Sequence, residues 1–336
     1  MPASTLRDVK MAIMGRYAMT PDALAECQDA QLLALIDLAT WPGAAILDPL
    51  PPFPLIGIGD GGHPLAASLD ILVEAPVSVD RLIDNIERAP LTAVALVQLL
   101  RSIERLDTER ALTLESISLA MLQGSAEHAR WLSDRAMSAP TASGQVHLER
   151  SDARLSITLD RPWASNAIDR AMRDDLYAAF TLAVLDPEIS TLALRSIGPA
   201  FSIGADLAEF GTTRDPATAH AIRMRTLPAW PLARFTGRIE THVQGACIGA
   251  GLELAAFATR LTASRSAWFQ LPELAMGIIP GAGGCVSVTR RIGRQRAALM
   301  ILSGRRINAE TALAWGLIDA IVDTPPVDED GAHIAC

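Results

Sequence analysis

The stretch from Gln244 to Gly284, QGACIGAGLELAAFATRLTASRSAWFQLPELAMGIIPGAGG, constrains the fold most. It holds two glycine-rich turns, Gly245–Gly251 and Gly281–Gly284. The first runs into a helix-suited segment, Leu252 to Ala258, with Glu253 in its first turn; a strand-like run then leads to Pro272-Glu273. Small residues let a ligand approach the backbone closely. A helix starting straight after such a turn directs free N–H groups and its positive dipole end at that ligand. Two carboxylates, Glu253 and Glu273, then sit near one potential anion site. The combination suits chemistry in which a carbonyl becomes an enolate while protons move.

At 336 residues the chain exceeds one average domain, and with half its residues hydrophobic it can bury a sizeable core. A net charge of −9 offers no basic footprint, so nucleic acid is not an expected partner. Cys27, Cys247, Cys285 and Cys336 follow no metal spacing and fit reduced thiols in a cytoplasmic protein. The histidines are equally scattered, so no metal site is expected. No apolar run has the length of a membrane span, and MPASTLRDVKMAIMGRY has no long apolar core of a signal peptide.

Along the chain, residues 1–140 read as a mostly helical N-terminal domain. An amphipathic helix is expected from Asp22 to Thr40 and a strand over Leu65–Glu74. Ser78 caps a helix through Arg88, Pro90 opens the helix Leu91–Leu106, Leu112–Gln123 is a third, and Ser125 caps a fourth through Arg135. Gly57, Gly59 and Gly62 spell G-x-G-x-x-G. We read a plain turn there, because His63-Pro64 stands where a helix must begin and Pro54 interrupts the strand such a loop requires. Met137 to Gln145 reads as a linker. From Val146 strands alternate with helices: Leu155–Leu159, Asp169–Leu185, Leu192–Ser196, Ala217–Arg225 and Ile239–Val243. This implies an α/β core, residues 146–323, around a mainly parallel sheet, followed by an acidic tail, 324–336.

Four blocks occur in order: Ile157–Pro162 with Asn166-Ala167, Ala200–Leu207, Gly245–Glu253, and Leu271–Glu273 through Ile279–Gly284. A weaker fifth is Leu302-Ser303-Gly304 through Ala314–Ile318. In these the chain resembles the crotonase, or enoyl-CoA hydratase/isomerase, superfamily, over roughly residues 146–323. The resemblance implies a crotonase-like ββα spiral core that binds an acyl-CoA thioester, with coenzyme A as part of the substrate and no other cofactor. It implies an oxyanion hole from the backbone N–H groups of Ala205 and Ala250. It implies Glu253 as the base that activates water and Glu273 as the proton donor, and so a 2-enoyl-CoA hydratase. By the same resemblance Arg161, Trp163, Ala164, Ile203, Gly204 and Asp206 meet the coenzyme, with Arg161 a candidate phosphate partner. A homotrimer or hexamer is implied. Isomerisation, cofactor-independent oxygenation and a non-catalytic CoA-binding subunit are the alternatives.

Three features depart from the family. Alanine stands at 250, where glycine is usual. The chain ends soon after Asp323, so the C-terminal helices that cover the site in the family are expected to be missing, and residues 1–140 are expected to take their place. Glu240 and His242, on one face of a strand usually apolar, are expected to pair with the N-terminal domain. Phe210, Trp230 and Trp268 line an acyl pocket or pack in the core.

Overall fold

The structure, a computed structural model, describes residues 15–26, 32–42, 49–135 and 141–323. The acidic tail, Cys27 and Cys336 lie outside the described residues.

The core sheet has six strands in the order β12-β9-β7-β6-β5-β4. β4 (Gln145–Ser151) and β5 (Arg154–Asp160) form an antiparallel hairpin, turned at Asp152, where φ is +48°. β5, β6 (Thr191–Ser196), β7 (Arg238–Val243), β9 (Arg260–Ala263) and β12 (Ala320–Ile321) run parallel. Leu192, Ala193 and Leu194 of β6 are buried on successive positions, as expected of a strand covered on both faces. β4, at the edge, exposes nearly every side chain, including Glu149 and Arg150, which discourages further pairing. A smaller sheet, β11-β10-β8, stands beside the functional site; it comprises β8 (Ala246–Ile248), β10 (Trp268–Gln270) and β11 (Ile307–Asn308).

The first half carries the expected helices: Val79–Arg88, Pro90–Ile103, Thr108–Gln123 and Ala126–Asp134. The oxygens of Ser78, Asp107 and Ser125 accept from N–H groups three residues on, which sets where the first, third and fourth begin. The segment is mostly helical, as expected, and it also holds a three-stranded parallel sheet, β1 (Ala34–Asp37), β2 (Leu55–Ile58) and β3 (Ile71–Leu72). The helix expected from 22 to 40 is described as helix only at Pro21–Glu26, and Ala34–Asp37 within it is strand instead. A short apolar run fits either element, and the burial of Leu33, Ala34, Leu35 and Ile36 on both faces decides for strand. The strand expected over 65–74 shrinks to Ile71–Leu72 after a 3₁₀ turn at Ala66–Ser68. Gly57 lies within β2, a central strand, and the chain turns after it at Gly59–Gly62, as expected. Pro54 lies just before β2 and serves only as an acceptor, for the Ala34 N–H at 2.9 Å.

We label the helices in chain order: α1 Pro21–Glu26, α2 Val79–Arg88, α3 Pro90–Ile103, α4 Thr108–Gln123, α5 Ala126–Asp134, α6 Arg170–Leu185, α7 Pro216–Thr226, α8 Ala229–Arg234, α9 Ala250–Ala255, α10 Gly284–Ser303 and α11 Ala309–Trp315. One apolar cluster crosses the boundary at residue 140, joining Leu82, Ile86, Leu96 and Leu112 to Val288 and Met300. Polar ties follow the same seam. Arg81 and Asn85 donate to the Ser303 carbonyl at the end of α10, and Asp70, wholly buried, meets Arg101 and Arg294. The first half is therefore packed into the core rather than tethered to it.

Candidate active site

α9 opens at Ala250 behind Gly249, whose φ of +48° an L side chain rarely adopts. Glu253, one turn in, is buried, and its Oε2 accepts the N–H groups of Ala282 (2.6 Å) and Gly284 (2.8 Å). These belong to the second glycine-rich turn, at the N-terminus of α10, where N–H groups have no helical acceptor. Burial pushes the Glu253 carboxyl up to about 7, and the two N–H bonds pull the other way.

Glu273 starts a 3₁₀ turn, Glu273–Met276, and is also buried. It reaches back to the first glycine turn, since a Cβ built on Gly249 would lie 2.8 Å from Glu273 Oε1. Its Oε2 has no hydrogen-bond partner among the described residues. Burial, and then the charges of Glu253 and Glu115, hold this carboxyl well above the ordinary carboxylate range.

Backbone donors approach the same place. Gly204 has φ +92°, and a Cβ there would meet Ile248 O at 2.9 Å and Ala250 N at 3.2 Å, so the Gly204-Ala205 backbone lies against the start of α9. The Ile168 N–H donates to Gly204 O and the Asp206 N–H to Ile168 O. Ala205 therefore turns its own N–H away from Ile168, by the alternation of an extended chain. The Ala250 N–H is in the first turn of α9. Both alanines line a cavity of about 290 Å³, together with Glu253 and Glu273.

The N-terminal half walls this cavity. Leu119 and Gln123 of α4 line it, facing Ile222 and Arg223 of α7. Sequence reading missed Glu115 on α4. It is fully buried and accepts Gly283 N–H (2.8 Å) and Cys285 N–H (2.9 Å), which alternate along the chain with the donors that serve Glu253. Burial and then the Glu253 charge push its carboxyl well up. The available clue was a glutamate on the helix face of Leu112, Leu119 and Leu122. α5 closes a second side, with His128 Nδ1 2.8 Å from Met276 O and Arg135 bonded to the carbonyls of Leu207 and Phe210.

Arg161 takes a different role from the one expected. It is buried, and its guanidinium donates to Asp206 Oδ2 (2.7 Å), Ala167 O (2.9 Å), Ala142 O (3.0 Å) and Thr141 Oγ1 (2.7 Å). Every nitrogen is engaged inside the protein and the side chain is buried, which makes the residue an internal latch and not a surface partner for a phosphate. Asp206 is likewise committed, to Arg161 and to the Ala208 N–H, though it lines the cavity with Ile203 and Gly204. Trp163 and Ala164 form a 3₁₀ turn with Pro162, and Trp163 is 58% exposed. Phe210 lines the cavity, whereas Trp230 is buried in the core cluster and Trp268 packs under Arg306. Among the described residues, Glu240 and His242 find partners within the sheet and not in the N-terminal half: Arg154 at 3.0 Å for Glu240, and Thr262 Oγ1 at 3.0 Å for His242 Nδ1. Adjacent strands were simply nearer.

The family described as "Enoyl-CoA hydratase/isomerase" matches residues 149–334. The chain is 35% identical over 176 residues to a mevalonyl-coenzyme A hydratase of Beauveria bassiana, covering 50% of this chain and 63% of that protein's length. It is 34% identical over 178 residues to a 2,3-dehydroadipyl-CoA hydratase of Escherichia coli, covering 53% of this chain and 69% of the relative. A solved structure described as an enoyl-CoA hydratase/isomerase, from Mycobacterium abscessus, superposes with a TM-score of 0.50 at 34% identity, over 53% of this chain and 71% of its own. Residues 1–148, including Glu115, precede the family match.

Proposed function

Because the chain belongs to the enoyl-CoA hydratase/isomerase family, we propose that it adds water across the double bond of a 2-enoyl-CoA thioester. The observation that carries this reading is the pairing of Glu253 and Glu273 in one cavity wall with the Ala205 and Ala250 backbones.

In this reading the thioester carbonyl oxygen lies between the N–H groups of Ala205 and Ala250. Glu253, with Oε2 held by Ala282 and Gly284, uses Oε1 to take a proton from water as the water oxygen bonds to the β-carbon. A carboxyl near 7 is a competent base at neutral pH. The electron pair of the double bond moves to the carbonyl oxygen, and the resulting enolate is held by the two N–H groups. One such donor contributes about 2.7–4 kcal/mol in other enzymes. Glu273, kept protonated by burial, delivers its proton to the α-carbon. A water then returns the proton from Glu253 to Glu273.

The cavity rim suits the rest of the thioester. Ile203 and Leu207, both partly exposed, line it, as do Arg170 and Arg173 of α6, which supply positive charge for phosphates in place of Arg161. The reading needs no cofactor beyond coenzyme A, carried on the substrate. It places the protein in the cytoplasm, in keeping with the free buried thiols of Cys247 and Cys285, as a homotrimer or hexamer that light scattering tests. Among the described residues no helix is long and apolar enough to cross a membrane.

The test is the loss of enoyl-thioester ultraviolet absorbance with a panel of 2-enoyl-CoAs. Consumption by the wild type, lost in Glu253→Gln and Glu273→Gln, supports hydration by the two acids. Binding of every ester without consumption of any rejects it.

A further inference from the structure

The cavity wall that α4 and α7 build is apolar except at Gln123 and Arg223. Arg223 Nε donates to Ser116 Oγ (2.9 Å), Nη2 to Ser116 O (3.0 Å) and Nη1 to Gln123 Oε1 (2.9 Å). All three acceptors are neutral. A guanidinium has five N–H donors, so each terminal nitrogen keeps one N–H without an acceptor among the described residues. No carboxylate oxygen of a described residue lies within 4 Å of it either. Glu115 of α4 acts on Arg223 through space and favours its charge, but makes no bond to it, because its two oxygens are spent on Gly283 and Cys285. Ser116 Oγ is shared further with His220 Nδ1 at 2.9 Å. Burial lowers the Arg223 pKa to about 10, so the group still carries its charge at neutral pH in a mostly apolar wall.

A partly buried cation with spare donors, in the wall of a substrate cavity, is matched by an anion that enters the cavity. We propose that Arg223 receives a carboxylate at the far end of the acyl chain, so that the preferred substrates are CoA thioesters of dicarboxylic acids. Gln123 orients the guanidinium, and Leu119, Ile222 and Ile278 line the path of the methylene chain. This deepens the proposed function and rests on its placing of an acyl thioester in the cavity.

Binding of unreactive saturated esters separates the two claims. Glutaryl-, adipoyl- and pimeloyl-CoA are titrated by calorimetry against pentanoyl-, hexanoyl- and heptanoyl-CoA, each pair sharing one chain length and the same coenzyme. At one length or more the diacid ester is expected to bind at least tenfold more tightly than its monoacid partner. Arg223→Met is expected to abolish that ratio, and Arg223→Lys, which keeps the charge, to preserve part of it. Equal or weaker binding of the diacid ester at every length overturns the proposal. So does an Arg223→Met variant that weakens both members of a pair alike, which marks the residue as a strut between α7 and α4. If no ester of either kind binds, the thioester reading of the cavity falls and takes this proposal with it.

Discussion

Glu115 and Glu253 divide between them four successive N–H groups at the start of α10. Ala282 and Gly284 donate to Glu253, while Gly283 and Cys285 donate to Glu115. One carboxylate comes from the family core and the other from the helical segment before it. Glu115→Gln keeps one acceptor and turns an amide N–H₂ toward a backbone donor. It is expected to lower stability by about 1–3 kcal/mol, the cost of a buried unsatisfied group. It also removes a charge that holds Glu273 up, so the alkaline limb of the kcat/KM profile should move to lower pH. Thermal unfolding and the pH profile together check this; an unmoved limb confines Glu115 to the scaffold.

Glu253→Gln and Glu273→Gln each remove one proton-transfer group and leave the shape of the site. Each is expected to lower kcat for hydration by about 10²- to 10⁴-fold. The absorbance assay, beside melting temperatures near that of the wild type, measures it.

The pH dependence follows from the two elevated carboxyls. Glu253 acts deprotonated, so activity should rise with pH through about 7. Glu273 acts protonated, and burial with the Glu253 charge raises its carboxyl, so activity should fall as pH rises through its ionisation. As the two titrate together, the limbs belong to the pair. Stability has the opposite sign from the usual paired carboxylate. The folded Glu253 keeps its proton to about 7 against an ordinary 4.5, so its contribution is fully present below 4.5 and lost as pH rises through about 7. Urea midpoints across this range test the slope.

Gly204→Ala tests the backbone donors. With φ at +92° and Ile248 O only 2.9 Å from the added carbon, the Ala205 peptide must move away from Ala250. The expected result is a loss of kcat of at least tenfold, up to the roughly 2.7–4 kcal/mol of one misplaced donor, with a smaller change in KM. Steady-state kinetics on protein shown folded by circular dichroism decide it.

Arg161→Met leaves Asp206 and the nearby Asp169 (3.7 Å) without their buried cation. The expected loss is about 3–5 kcal/mol. A surface arginine held ready for a phosphate would lose under about 1 kcal/mol, so denaturant unfolding separates the two roles.

By itself the sequence determined the elements whose cause is local. Ser78, Ser125, Asp169 and Asp215 cap helices close to where expected, because a cap involves only neighbouring residues, whereas the helix expected from Leu112 begins four residues earlier behind Asp107. The two glycine turns and their glutamates were legible because positive φ and close approach select glycine at particular positions. What only the tertiary structure decided depends on partners distant in the chain. Ala34–Asp37 became a strand because the burial of Ala34, Leu35 and Ile36 on both faces outweighed a helical spacing. Arg161 turned inward because Asp206, 45 residues on, lay within reach. Glu115 joined the site from 168 residues before Gly283, since two unpaired N–H groups at a buried helix start require an acceptor and α4 is the element packed against them. No local pattern encodes such a meeting, which exists only once the apolar faces have closed.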